Sequence, residues 1–232
     1  MMKLNLQYFG GRGSSSDGES LASGSGKPVN IISETDVWTY RHNPNNAPYV
    51  DSINSSVREM SDDFPSLMRD TVNSVDTVEF GGADKTGTLG IYGDGRVGLN
   101  SNYTNIEKMN AVYDKGVQKG YHPGRGNKNA VEAVTYHEMG HALTDNIAQK
   151  MGVKNLDASS KRIVEDAYKA SGGKGGTKAW AGKISGYAQE NFAECVAEAV
   201  ADYYCNGSKA SKQSHNERVE EVFIGGSPWI RE

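Results

Sequence analysis

The sequence predicts an α+β domain in which a small sheet packs against helices. Two observations lead to this fold class. Segments rich in Val, Ile and Tyr lie before residue 100, and the longest segments with apolar residues at helical spacing lie after residue 129. Strands that precede helices, rather than alternate with them, are typical of α+β domains. We expect a cleft between the sheet and the two late helices.

The early elements are predicted from apolar spacing and from turn residues. Residues 57–75 carry apolar side chains at helical spacing, and Pro65 is expected to break or restart that helix. Residues 75–80 and 89–99 have the composition of strands. The glycines and aspartate of residues 93–95 indicate a turn within the second segment, and this predicts a hairpin.

Three helices are predicted in the second half of the chain. Asn129 is expected to cap a helix over 130–151, with Glu132 in its first turn. A second helix is predicted over 159–170 and is followed by a glycine-rich loop. The last helix is predicted over 189–204.

The chain divides into a predicted flexible tail, residues 1–28, and a predicted folded domain, residues 29–232. Residues 11–26 are rich in glycine and serine, and they cannot bury enough apolar surface to offset the entropy lost on ordering. A chain of 232 residues can form a core without disulfides or a structural metal. Its two cysteines, Cys195 and Cys205, are too few for a disulfide framework and indicate reduced thiols in a cytoplasmic setting.

Charge and hydropathy exclude several classes of partner. The formal net charge is −4, which provides no basic face for nucleic acid. No apolar run reaches the length of about 20 residues that a membrane-spanning helix needs. The first residues also lack the apolar core of a secretion signal. We therefore expect neither a nucleic acid nor a membrane as partner, and the sequence does not predict an oligomeric state.

The segment His137-Glu138-Met139-Gly140-His141 predicts a zinc site. Residues four apart on a helix share one face, so the two imidazoles can bind one tetrahedral zinc ion. Glu138 lies beside them and is placed to accept a proton from the water that the metal activates. The chain has only five histidines, so this spacing rarely arises by chance. Gly140 leaves room for another backbone to pack closely behind the metal.

A catalytic zinc ion normally takes three protein ligands and leaves one position open for water. No third histidine follows at a suitable spacing, so we expect the third ligand to be a carboxylate. The final helix offers acidic residues spaced by four on one face: Glu190, Glu194, Glu198 and Asp202. Like charges at this spacing repel each other, and a bound cation would remove the repulsion. Spacing alone does not choose among them.

These motifs resemble the gluzincins, in which a glutamate on a downstream helix completes the zinc site. More narrowly, residues 185–198 resemble the C-terminal signature of lethal-factor-like and phage-encoded metallopeptidases, with a tyrosine seven residues before the zinc glutamate. The resemblance implies a zincin-like fold, an endopeptidase activity and one zinc ion per chain. It implies that Glu194 is the ligand and that Tyr187 faces the reacting carbonyl. A register with Glu190 as ligand remains open, although only Glu194 also places Tyr187 correctly.

The resemblance places Glu198 behind the metal ligands, and the chemistry of zinc sites predicts roles for this and other groups around the metal. Glu198 would accept a hydrogen bond from His137, which fixes the imidazole ring; Asp145 is a weaker candidate for such a role. The Tyr187 hydroxyl would stabilise the oxyanion together with zinc. A protein or peptide substrate would extend along an edge strand near residues 92–99 and form main-chain hydrogen bonds with it.

Residues 4–14 resemble the start of many phage and prophage head proteins. This likeness predicts a location in the bacterial host cytoplasm or in the virion, with phage head proteins as possible substrates. One alternative is a virion structural or head-assembly protein with a zincin-like fold and little or no peptidase activity. A scaffold has no need of the base Glu138, which argues against it. A second alternative, an effector that acts on host-cell proteins, is disfavoured because no secretion signal is present.

The remaining histidines, His42, His122 and His215, stand in turn-like or polar segments and are predicted to be exposed loop residues. Cys195 follows Glu194 on the final helix and points about 100° away from it. We expect this cysteine to be a small buried apolar residue.

Overall fold

The computed structural model describes residues 29–32, 36–39, 47–78, 87–153 and 156–214. The predicted tail, residues 1–28, lies outside the described residues, and so do His42 and His215. The strands are β1 (Val29–Ile32), β2 (Asp36–Thr39), β3 (Ser74–Val78), β4 (Gly90–Gly93) and β5 (Arg96–Asn100). The helices are α1 (Ala47–Asp63), α2 (Pro65–Asp70), α3 (Ile106–Gln118), α4 (Ala130–Lys150), α5 (Leu156–Ala170), α6 (Thr177–Ala181) and α7 (Phe192–Asn206).

The strands form one five-stranded sheet in the order β2-β1-β3-β5-β4. The β3–β5 pair is parallel, and the other pairs are antiparallel. The predicted hairpin is confirmed: β4 and β5 are joined at Asp94 and Gly95, whose φ angles of 52° and 75° are those of a tight hairpin turn. A mixed, mainly helical α+β architecture is therefore present.

The edge of the sheet nearest the late helices is shorter than predicted. Within the described residues β4 lies at the edge, whereas β5 is paired on both sides, with β3 and with β4. The predicted edge segment 92–99 is thus wrong for its second half. On this side of the sheet, Gly90–Gly93 is the described strand that has an unpaired edge, and β2 lies at the opposite edge.

Helices α1 and α2 show how proline divides an apolar segment. The predicted break is confirmed, because α1 ends at Asp63 and Pro65 occupies the first turn of α2, where its missing N–H costs nothing. The start predicted at residue 57 is wrong, since α1 begins at Ala47. The buried residues that follow its helical spacing are Tyr49, Val50, Ile53, Val57 and Met60.

Helix α4 is the central element of the fold. It packs against α7 and α1, against α3 and α5, and against strands β4 and β5. It is buried on nearly all sides; His141, Asp145 and Gln149, one turn apart, form the strip that reaches solvent. A helix buried on most faces is expected to be apolar all round. The polar groups that α4 does bury therefore need a specific reason to be there.

The boundaries of α4 follow the sequence closely. Asn129 and Glu132 form the capping box: the Asn129 side chain accepts from the Glu132 N–H, and the Glu132 carboxylate accepts from the Asn129 N–H. Helix α7 instead begins three residues later than predicted, at Phe192, because Asn191 is its N-cap and accepts from the Glu194 N–H. None of the helices in the described ranges is long and apolar enough to cross a membrane.

Candidate metal centre

Helix α4 carries His137, Glu138 and His141 into the interior. His137 is fully buried, Glu138 is 1% exposed, and the His141 side chain is 15% exposed. The two imidazole rings lie with their centroids 4.9 Å apart in an edge-on arrangement. The predicted pair therefore does share one face, with His141 nearer to the strip that reaches solvent.

Helix α7 brings Glu194 to both histidines. Its Oε2 lies 3.1 Å from His137 Nε2 and 3.4 Å from His141 Nε2. The three ligand atoms lie within 4.8 Å of one another. The cap at Asn191 fixes the first turn of α7, and this turn aims the carboxylate at α4.

The donor set fits a zinc ion. Ligands that bind tetrahedral zinc at about 2.0–2.1 Å lie about 3.3 Å apart, close to the two separations measured here. Glu194 Oε2 is buried and forms no hydrogen bond with the described residues, although both imidazole Nε2 atoms are near it. A buried acceptor directed at two ring nitrogens is costly unless a cation lies between them. His137, His141 and Glu194 could therefore hold a metal ion.

Glu190 is not part of this group. It is exposed, and it lies before α7 rather than on it. The prediction that Glu190 shares a helix face with Glu194 is wrong, because the helix starts at Phe192.

Glu198 lies one turn after Glu194 and holds the other side of the His137 ring. Its Oε1 is 2.9 Å from His137 Nδ1, and its Oε2 accepts a 2.6 Å hydrogen bond from the Ser185 hydroxyl. A carboxylate accepts from the ring, so Nδ1 carries the proton and Nε2 faces Glu194. Burial raises the pKa of Glu198, but His122 and His137 together lower it to about 2. The predicted contact between Glu198 and His137 is therefore present.

His122 is buried, and the prediction that it is an exposed loop residue is wrong. It is 2% exposed and its Nδ1 lies 3.5 Å from Glu198 Oε1. Its ring stacks on Tyr113 at 5.1 Å and meets Tyr121 edge-on at 4.9 Å. The residues around His122 are mostly polar or turn-forming, so the sequence did not indicate that its side chain is buried. Tyr121, directly before His122, is the local feature that could have indicated a buried imidazole, because its ring packs against that of His122.

Tyr187 lies beside the site, in a short 3₁₀ turn before α7. Its ring is 3% exposed and its centroid is 6.0 Å from that of His137. Burial, followed by the negative charge of Glu194, raises the pKa of Tyr187 well above its usual value. The hydroxyl therefore stays protonated and available as a donor.

Glu138 has the environment of a general base. Its Oε1 is buried and has no hydrogen-bond partner in the described part of the chain. Burial raises its pKa to about 7, against the opposing effect of His137 and His141. Gly90 of β4 lies against it, since a Cβ there would come within 2.6 Å of Oε1. A carboxylate with a pKa near neutral can both accept and return a proton.

Two further predictions can be placed. Within the described part of the chain, Asp145 is bonded to a tyrosine rather than to a histidine: it accepts a 2.7 Å hydrogen bond from the Tyr92 hydroxyl and links β4 to α4. Cys195 is 1% exposed and packs in the apolar core, which confirms its predicted role.

Comparison with known proteins adds no relative: no family model, no curated protein and no solved structure matches this chain.

Proposed function

We propose that this protein is a zinc-dependent endopeptidase of the gluzincin type, with His137, His141 and Glu194 as zinc ligands. The observation that carries the proposal is that a buried base, Glu138, lies on the same helix as a buried His–His–Glu group whose ligand atoms converge within 4.8 Å. A structural site would need the ligands but not the base. One zinc ion per chain is expected.

When bound, zinc would supply Lewis acidity, which activates a water and polarises the peptide carbonyl. Glu138 accepts the proton of the attacking water at Oε1 and returns it to the nitrogen of the leaving amine. The Tyr187 hydroxyl donates a hydrogen bond to the developing oxyanion. His137 Nδ1–H donates to Glu198 Oε1, and the Ser185 hydroxyl donates to the other oxygen of that carboxylate, so Glu198 holds the His137 ring in its orientation.

Strand β4 supports a binding site for an extended peptide. It lies at the sheet edge and packs on α4, and Gly90 places its backbone directly against Glu138. A peptide that adds to this edge by main-chain hydrogen bonds would pass the base. The bond between Tyr92 and Asp145 holds the edge on the same helix that carries the histidines.

We further propose that the enzyme is encoded by a phage or prophage and acts on proteins of the phage head. This rests on the likeness of residues 4–14 to head proteins, and these residues lie outside the described part of the chain. The enzyme would then act in the host cytoplasm or in the virion.

Elemental analysis of the purified protein, together with a peptidase assay, tests the proposal. Wild type should hold one zinc ion per chain, Glu194→Ala should lose it, and the exposed Glu190→Ala should keep it. Glu138→Gln should keep zinc but lose turnover, and Tyr187→Phe should lose about 10²-fold or less. A metal-replete wild type without zinc would refute the metal site. Bound zinc with no cleavage of co-encoded head proteins would instead favour the head-assembly alternative.

A further inference from the structure

His122 is a buried imidazole that the proposed chemistry does not use. Its side chain is fully buried, and it lies in the loop between α3 and α4. Its ring is held between Tyr113 on one side and the edges of Tyr121 and Tyr187 on the other. Burying an imidazole costs free energy unless its nitrogens meet polar partners. Its placement therefore calls for a reason within the site.

The residues that surround His122 come from three separate segments. On α3, Gly116 provides the space, because a Cβ there would lie 2.5 Å from the His122 ring. On the other side, the Gly186 N–H donates to the Gly120 carbonyl at 2.7 Å and the Tyr187 N–H donates to the Tyr121 carbonyl at 3.0 Å. These two backbone bonds fix the loop before His122 to the turn before α7.

The group that His122 meets is Glu198. His122 Nδ1 lies 3.5 Å from Oε1, the same oxygen that His137 Nδ1 approaches at 2.9 Å. The other oxygen is held by the Ser185 hydroxyl. The Glu198 carboxylate thus lies among the side chains of His122, His137 and Ser185, which come from different segments. Of these three, His137 alone is a proposed zinc ligand. Besides His137, two side chains outside the proposed ligand set, those of Ser185 and His122, therefore approach the Glu198 carboxylate.

We propose that His122 is a positioning residue for the metal centre: it holds Glu198, and Glu198 in turn orients the ring of His137. This inference rests on the proposed zinc site. Partners behind a metal-binding histidine typically change metal affinity by about 10–100-fold when removed. Because the His122 contact is longer than that of His137 and one step further from the metal, we expect a loss near the lower end, about tenfold.

The test is the zinc dissociation constant of the full chain, measured by competition with a chelator. His122→Phe keeps an aromatic ring but removes both nitrogens, and it should weaken zinc binding about tenfold. His122→Asn places an amide N–H near the position of Nδ1 and should recover most of that loss. Tyr113→Phe is the matched control: it keeps the ring that stacks on His122 and removes only the hydroxyl bond to the Pro123 carbonyl. It should bind zinc as wild type does.

The outcomes separate this inference from the proposed function. If wild type binds no zinc, the proposed site fails. If wild type binds zinc and His122→Phe binds it equally well, only the inference about His122 is overturned. An equal loss in Tyr113→Phe would also overturn it, because loosening of the loop would then explain the effect. Should His122→Phe not fold, long-range proton–nitrogen NMR of wild type gives the answer. A proton on His122 Nδ1 supports the bond to Glu198, and a bare Nδ1 excludes it.

Discussion

Replacing Gly140 with alanine tests how closely α4 and α7 must approach to assemble the site. A Cβ at this position would lie 2.8 Å from Ala197 Cα and 3.2 Å from Val200 Cβ. Carbon atoms in contact normally lie about 3.5–4.0 Å apart, so the helices would have to separate by roughly 0.7 Å. The nearer atom belongs to the backbone of α7 and cannot rotate away. Helix separation is therefore the expected response.

We expect Gly140→Ala to weaken zinc binding more than it lowers the free energy of unfolding. Overpacking a core costs about 1–3 kcal/mol, and alanine returns about 1 kcal/mol in helix propensity relative to glycine. The net loss of unfolding free energy should be about 0–2 kcal/mol. In contrast, metal–ligand distances tolerate only about 0.2 Å, and the two helices carry different ligands. We expect zinc affinity to fall tenfold or more.

The assay compares Gly140→Ala with Gly93→Ala, where an added Cβ meets nothing within 4 Å. Urea unfolding of the metal-free proteins gives the stability change, and chelator competition gives the zinc dissociation constant. Gly140→Ala should weaken zinc binding while Gly93→Ala does not. Wild-type zinc affinity in Gly140→Ala would refute the reasoning, because the separation of α4 and α7 would then not control the site.

Three further predictions concern the base, the cap and the protons of the site. Gly90→Ala should lower turnover with unchanged zinc content, because its Cβ would lie 2.6 Å from Glu138 Oε1; full activity would contradict this. Asn191→Ala should lower the unfolding free energy by about 0.5–2 kcal/mol in urea titration, since the Glu194 N–H loses its cap; an unchanged midpoint would exclude that role. Zinc loading at neutral pH should release about one proton per chain. Although burial opposes it, the nearby carboxylates of Glu194 and Glu198 raise the pKa of metal-free His137 to about 10, so zinc must displace a proton from the ring and binding should weaken as pH falls. Calorimetry in buffers of different ionisation enthalpy checks this, and heats that do not depend on the buffer would count against it.

The parts of the site that are local in sequence could be predicted from the sequence. His137 and His141 share a face because helical geometry fixes positions four residues apart. The cap at Asn129 and the turn at Asp94-Gly95 follow from the side chains themselves. Each of these features depends on interactions within a few residues, and such patterns can be recognised without knowing the tertiary fold.

The features that were missed depend on contacts between distant segments. The local sequence predicts that His122 is a loop residue. Its ring is buried because Gly116 leaves space for it and Glu198 lies beside it, and both residues belong to other elements. Helix α3 was not predicted because its buried face consists of only three residues, so its periodic signal is weak: Met109, Tyr113 and Gly116. Glu190 was placed on the final helix because acidic residues spaced by four continue through the cap, and the sequence pattern does not show where the helix begins.

The two backbone bonds between the Gly120–Tyr121 and Gly186–Tyr187 segments have a consequence for local unfolding. They join the loop that leads into α4 to the turn that leads into α7, so neither segment can detach without breaking both. Segments linked in this way open as one cooperative unit, and their protected amides exchange with solvent with a common opening free energy. The amides of Gly186 and Tyr187 therefore report the integrity of the whole centre. Neither Gly186 nor Tyr187 is one of the proposed metal ligands.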